Sequence, residues 1–255
     1  MPSAVFSTTE AVQLGQFVVQ AYNLSSGAAF ALPAGYSLVA TLYADDITDD
    51  VPDYKVFGFI ARNGSAVVVA IRGTEDLLEW IKDFDLILVP FPYADAGDAE
   101  QGFNGFYSTF RTGNTSTSPR VIDAISQLVA DGSVQSLWIA GHSLGGALVT
   151  MLALDLAANK VYVNPVAYTF GSPRVGDKVF AGMYDNLVAS SWRIANLNDI
   201  VPQLPPQFAG FVHVDAEVPI NSDDHTRQTI VCWHALATYL NTLDPNVPLD
   251  GGCNP

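Results

Sequence analysis

Ser143 lies in Gly141-His142-Ser143-Leu144-Gly145, a G-x-S-x-G pentapeptide whose serine hydroxyl can attack an ester carbonyl if its surroundings activate it. The pentapeptide alone says little, because glycine is common enough for it to recur by chance. Its flanks add the information. Ser136-Leu137-Trp138-Ile139-Ala140 reads as a buried strand, and Gly146-Ala147-Leu148-Val149-Thr150-Met151-Leu152 opens a helix with small residues toward the sheet. A sharp strand-to-helix turn between them predicts a strained backbone at Ser143. Gly141 and Gly145, lacking a Cβ, let strand and helix approach on either side. The Leu144 N–H, at the helix N-terminus, faces the place where a tetrahedral intermediate carries negative charge. The alternative is a glycine-rich loop with a structural serine.

A nucleophilic serine needs a base, and the chain has His142, His213, His225 and His234. His142 leaves the turn in a different direction from the serine and is expected to pack or hydrogen-bond. His213, in an apparent strand Phe211 to Val214, is expected to be structural. The chain order serine, acid, histidine leaves His225 and His234 as candidates. A helix starting near Thr226 puts His225 at its edge and His234 inside it, so the residues alone hold the two nearly equal. For the acid, Asp199 stands just beyond a strand, where open α/β folds place their chemistry. Asp155 and Asp177 fall in or near helices and are expected to be solvated. Asp45-Asp46 and Asp49-Asp50 read as a solvated loop, having no compact cation-ligand pattern. The chemistry calls for no metal and no organic cofactor.

The elements that position these residues alternate. Ser7-Thr8-Thr9-Glu10 has capping-box spacing and opens a helix through Val12, Phe17, Val18 and Tyr22. Strands are predicted at 37–43 and 54–61, with a turn at Arg62-Asn63-Gly64-Ser65 into a strand at 66–71. Helices at 103–110, 120–129, 144–159, 177–188 and 226–240 alternate with strands at 135–140, 166–170 and 191–196. This pattern predicts an α/β fold: a mixed, mainly parallel sheet flanked by helices, with the early hairpin as its antiparallel margin. No repeat or linker divides the chain, so residues 1–255 are expected to form one domain.

Among 255 residues, 49% are hydrophobic and 15% charged, which requires a sizeable core. The formal charge of -15 argues against nucleic acid, or an anionic membrane, as an electrostatic partner. No apolar run is long enough to span a bilayer. No signal peptide is visible at the N-terminus, and the chain reads as a mature form with an added start methionine. Cys232 and Cys253 either close a loop over the C-terminal tail or stand as free thiols. Oligomeric state is not legible.

Taken in order, several stretches resemble the class 3 lipases, fungal and plant triacylglycerol lipases with an α/β-hydrolase fold. Ile71-Arg72-Gly73-Thr74 is similar to the family's oxyanion loop, which implies Thr74 as the second oxyanion donor beside Leu144. Glu75 to Asp83 resembles the family's short amphipathic lid. Gly141-His142-Ser143-Leu144-Gly145-Gly146 resembles its elbow, and Thr169-Phe170-Gly171-Ser172-Pro173-Arg174-Val175-Gly176-Asp177 a second family stretch. Asn196 to Pro202 is similar to the acid segment, implying Asp199. Cys232-Trp233-His234-Ala235-Leu236-Ala237-Thr238-Tyr239-Leu240 is similar to the histidine segment, implying His234 in preference to His225.

The resemblance implies a serine carboxylic-ester hydrolase working through an acyl-enzyme on Ser143, with Asp199 and His234. A triacylglycerol lipase acting at a lipid–water interface is the expectation. It includes a lid within residues 75–92 whose Leu77, Leu78 and Ile81 share a face flanked by Trp80. An extracellular location is favoured. The other readings are an esterase for short-chain, phenolic (feruloyl-type) or sugar esters on the same machinery, and a noncatalytic binding protein on a hydrolase fold.

Overall fold

Ser7 starts the first helix, α1 (Thr8–Ser26): its hydroxyl accepts the Glu10 N–H at 3.2 Å, and Gly27, at φ 74°, stops it. The Glu10 carboxylate reaches across to the sheet and accepts from Trp138 Nε1 at 3.1 Å and Tyr168 O–H at 2.6 Å. One residue thus ties the helix to two strands. In this computed structural model the described residues are 5–45, 53–74, 86–113, 120–214 and 216–255. The expected lid residues Leu77, Leu78, Trp80 and Ile81 lie outside them, as does most of the acidic loop from Asp46.

The predicted turn at residues 62–65 joins β2 (Tyr54–Asn63) to β3 (Ala66–Ile71) as an antiparallel hairpin, and β1 (Ser37–Asp45) pairs antiparallel with β2. Leu88–Pro90 (β4) and Asp98–Glu100 (β5) form a separate two-stranded ribbon that the sequence did not announce. From β3 onward every pairing in the main sheet is parallel: β6 (Ser136–His142), β7 (Val166–Phe170), β8 (Ser190–Asn196) and β9 (Glu217–Ile220). The seven-stranded order is β1-β2-β3-β6-β7-β8-β9, the expected mixed, mainly parallel sheet of an α/β-hydrolase. The carboxyl ends of β3, β6, β7 and β8 lead into Thr74, Ser143, Gly171 and Asp199, so one edge of the sheet gathers the chemistry.

Each face of the sheet has its own apolar layer. Helices α2 (Gln101–Thr112), α3 (Val121–Val129), α4 (Leu144–Ala158) and α5 (Lys178–Leu187) pack one face through Phe103, Ile125, Leu148 and Phe180. The other face is covered by α1 and by α7 (Leu236–Leu243), through Phe17, Tyr239 and Leu240.

Three expectations are corrected. Asp155 is fully buried on α4: Arg111 Nε lies 2.6 Å and the Tyr107 hydroxyl 2.7 Å from its Oδ2, and Asn159 Nδ2 lies 2.8 Å from Oδ1. A buried carboxylate needs such partners, and two of the three, Tyr107 and Arg111, come from α2, distant in sequence. The helix expected over 226–240 is two helices, α6 (Ile230–His234) and α7, separated by Ala235 in extended geometry at ψ 131°. The break has a cause: the Trp233 and His234 carbonyls accept from Asn196 Nδ2 and His142 Nε2, which withdraws them from any helical ladder. Residues 211–214 make a single bridge, Val212 with Gly176, rather than a strand. The two cysteines, left open by the sequence, are joined as a Cys232–Cys253 disulfide with Cα atoms 5.3 Å apart.

Candidate active site

Ser143 is the N-cap of α4 at φ 58° and ψ -127°, a left-handed conformation that costs a non-glycine residue about 1–3 kcal/mol. The turn is held from both sides. The Ser143 N–H donates to the Phe170 carbonyl of β7 at 2.9 Å, and the Ser143 carbonyl accepts from Gly146 at 2.8 Å. A Cβ at Gly145 would sit 2.4 Å from the Arg72 carbonyl oxygen, so only glycine lets the helix start against the β3 exit. Gly73 is as confined: a Cβ there would meet Ser143 Cβ at 2.7 Å and the Tyr22 hydroxyl at 2.7 Å. These close approaches bring the Gly73-Thr74 loop alongside the serine. Leu144 is the first residue of α4, so its N–H has no carbonyl partner within the helix.

His234 and Asp199 come together as the resemblance implied. His234 Nδ1 lies 2.6 Å from Asp199 Oδ2, with both side chains buried. Asp199 is saturated with donors: Tyr239 O–H to Oδ2 at 2.6 Å, and the Val201 N–H to Oδ1 at 2.9 Å. Burial first, and the Asp199 charge second, push the Tyr239 phenol well above its ordinary pKa, so it keeps its proton and donates. With Nδ1–H directed at the carboxylate, Nε2 is the imidazole nitrogen left to accept a proton. Ser143 Oγ and His234 Nε2 are both buried and neither has a hydrogen-bond partner. His225 is elsewhere, 3.0 Å from Thr242 Oγ1 on α7.

His142, as expected, turns away from the serine. Its Nδ1 lies 2.7 Å from the Tyr22 hydroxyl, its Nε2 lies 2.7 Å from the His234 carbonyl, and its ring centroid lies 4.6 Å from that of His234. Burial holds its pKa well below the ordinary histidine value.

The segment that follows Asp199 is clamped at four successive carbonyls. His213 Nε2 donates to Pro202 at 2.6 Å, the Arg174 guanidinium donates to Gln203 and Pro205, and the Arg174 N–H donates to Leu204 at 2.7 Å. His213 is thus structural, and burial lowers its pKa to about 3. Asp177 is an N-cap, accepting the Phe180 N–H at 2.8 Å, rather than a solvated acid. Sequence reasoning did not find the roles of Tyr22, Arg174 or Tyr239. In the sequence Tyr239 is only part of the stretch around His234, and Tyr22 only part of an apolar helix face. Several apolar side chains are exposed: Leu197 and Ile200 beside Asp199, Ile230 and Val231 at the start of α6, Leu86 and Ile87 ahead of β4, and Phe208, 90% exposed. Among the described residues, no three His, Cys, Asp or Glu side chains gather as metal ligands.

This chain is similar to the secreted mono- and diacylglycerol lipase A of Penicillium cyclopium, 29% identical over 83% of this chain and 64% of that protein. It is also similar to phospholipase A1-IIgamma of Arabidopsis thaliana, 34% identical over 69% of this chain and 47% of that protein. The chain therefore spans between about half and two thirds of the length of these relatives. A crystal structure of an MDLA mutant from Penicillium cyclopium superposes with a TM-score of 0.66 at 29% identity, covering 85% of this chain and 82% of that one. The family model described as Lipase (class 3) matches residues 68–209, from within β3 through the segment that follows Asp199, and the chain belongs to that family.

Proposed function

We propose that the chain is a serine carboxylic-ester hydrolase, a triacylglycerol lipase, with Ser143 as nucleophile, His234 as base and Asp199 as its orienting acid. The observation that carries this reading is the pair of buried, unpartnered atoms Ser143 Oγ and His234 Nε2, with His234 Nδ1 already committed to Asp199. Two such atoms are costly unless a substrate or a shared proton uses them. In the proposed reaction His234 Nε2 takes the Ser143 proton as Oγ attacks the ester carbonyl, and Asp199 stabilises the imidazolium that forms. The N–H groups of Leu144 and Thr74 receive the oxyanion, each worth about 3 kcal/mol in reactions of this kind. His234 then protonates the departing alcohol and activates water, which releases the acid from Ser143.

Support for a lipid substrate comes from the exposed apolar side chains around the Asp199 and His234 loops and from the lipase and phospholipase relatives. We read residues 1–255 as one domain with a lid within 75–92. An extracellular protein fits the disulfide and the relative named as secreted.

The test is a chain-length series of soluble p-nitrophenyl esters and emulsified triacylglycerols, run beside Ser143→Ala. The reading expects loss of turnover in the variant and a gain on emulsions in the wild type. A preference for C2 to C4 soluble esters with no gain on emulsions would move the assignment to a short-chain esterase. Turnover retained in Ser143→Ala would remove the mechanism.

A further inference from the structure

We propose that Tyr22 and His142 are positioning residues that hold the oxyanion loop and the His234 turn in fixed relation through one directional hydrogen-bond chain. The proposal rests on the ester-hydrolase reading above. The chain has three links: Gly73 N to Tyr22 Oη at 2.9 Å, Tyr22 Oη to His142 Nδ1 at 2.7 Å, and His142 Nε2 to the His234 carbonyl at 2.7 Å. Chemistry fixes the direction of each. A carbonyl only accepts, so His142 carries its proton on Nε2 and donates to His234. Nδ1 is then an acceptor and takes the Tyr22 O–H. The Tyr22 oxygen in turn accepts the Gly73 N–H.

The links join four elements far apart in sequence, of which only β3 and β6 are paired with each other as strands. Tyr22 comes from α1, Gly73 from the exit of β3, His142 from the last position of β6, and His234 from the end of α6. The first link fixes the Arg72–Gly73 peptide, one peptide before the N–H of Thr74, the proposed oxyanion donor. The last fixes the carbonyl of the proposed base and keeps residues 234–235 from continuing as helix. Both halves of the reaction, proton transfer and oxyanion stabilisation, thereby depend on one tyrosine hydroxyl and one imidazole. The arrangement also requires His142 to stay neutral. Its ring is 4.6 Å from the ring that becomes imidazolium, and a second cation there would oppose the transfer. A protonated His142 would moreover present an N–H to the Tyr22 hydroxyl, reversing that one link and turning the hydroxyl proton away from the imidazole. Burial of His142, 5% exposed, works in the required direction.

The experiment combines Tyr22→Phe, which keeps the ring and deletes the O–H, with His142→Asn and the double variant. On p-nitrophenyl butyrate, each single variant is expected to lose about tenfold or more in kcat with KM changed by less than about twofold. Affinity for a boronic acid that forms a tetrahedral adduct on the serine should fall by the same factor as kcat/KM. The double variant should lose little beyond either single one, because one chain is broken once. A purely packing role would lower Tm without this kcat-against-KM split and would give additive losses. Tyr22→Phe with wild-type kcat and boronate affinity, or additive losses in the double variant, would overturn the proposal. If Tyr22→Phe does not fold, His142→Asn alone carries the same kcat, KM and boronate readouts. Ser143→Ala in parallel separates the two levels. Turnover in Ser143→Ala sinks the hydrolase reading itself, whereas an inactive Ser143→Ala beside a fully active Tyr22→Phe sinks only the coupling.

Discussion

The Ser143 hydroxyl is buried without a partner, on a backbone held at φ 58°. Removing it leaves the strained turn in place and relieves an unsatisfied polar atom. Ser143→Ala is therefore expected to lose all turnover with Tm unchanged or slightly raised; a large drop in Tm would show that the hydroxyl supports the fold. Asp199→Asn disturbs the histidine tautomer rather than the packing, and kcat is expected to fall by about 10⁴. His234→Ala should be inactive. His225→Ala, whose ring faces Thr242, should stay within about twofold of wild type in kcat, as its place outside the site implies. At this scale the residues at element ends were legible, because strand-then-glycine and acid-after-strand patterns are local. The choice between His234 and His225 was not settled by local pattern, since it turns on which imidazole meets Asp199 across 35 positions. Tyr239 and Tyr22 escaped for the same reason: an apolar helix face predicts burial but not which polar group a hydroxyl will meet.

Between β8 and α7 the chain is governed by partners that lie far off in sequence. Arg174 and His213 between them hold the carbonyls that follow Asp199, and Arg174→Met would leave those of Gln203 and Pro205 without their donor. A loss of about 2–4 kcal/mol in stability is expected, read by urea denaturation, with kcat lowered as the acid loop loosens. His213 adds a pH signature. Its folded pKa of about 3 lies below its unfolded value of about 6.5, so its contribution is complete above pH 6.5 and is lost as pH falls toward 3. Over that window the wild type should lose up to about 1.4 kcal/mol per pH unit more than His213→Gln. Parallel stability curves for the two proteins would contradict the assignment. The Cys232–Cys253 bond closes a 21-residue separation around α6 and α7, and Cys253→Ser is expected to cost about 3 kcal/mol by the loop-closure relation. Periodicity located most strands and helices here, yet it ran residues 226–240 together. A helix break imposed by carbonyls that accept from Asn196 and His142 leaves no trace in the apolar pattern.

Over the whole molecule, 26 acidic against 11 basic side chains give a charge of -15, while the loops around the site expose apolar side chains. Attraction to a lipid surface must then be apolar and work against repulsion from any anionic component. Adding an anionic amphiphile to a neutral ester emulsion is expected to lower turnover at low salt, and about 0.5 M salt should restore most of it by shortening the screening length. The alternation of strands and helices made the sheet's class legible. The β4–β5 ribbon and β9 were not, being three- and four-residue strands whose pairing is set by the chain around them. The central claim is that one serine, set on this turn, carries the acyl group. It is tested most directly by treating the folded protein with an alkyl fluorophosphonate and mapping the adduct by peptide mass spectrometry against residual esterase activity. A single adduct on Ser143 is expected, rising in step with the loss of activity. Full activity with Ser143 modified, or inactivation with the adduct on another residue, would contradict it.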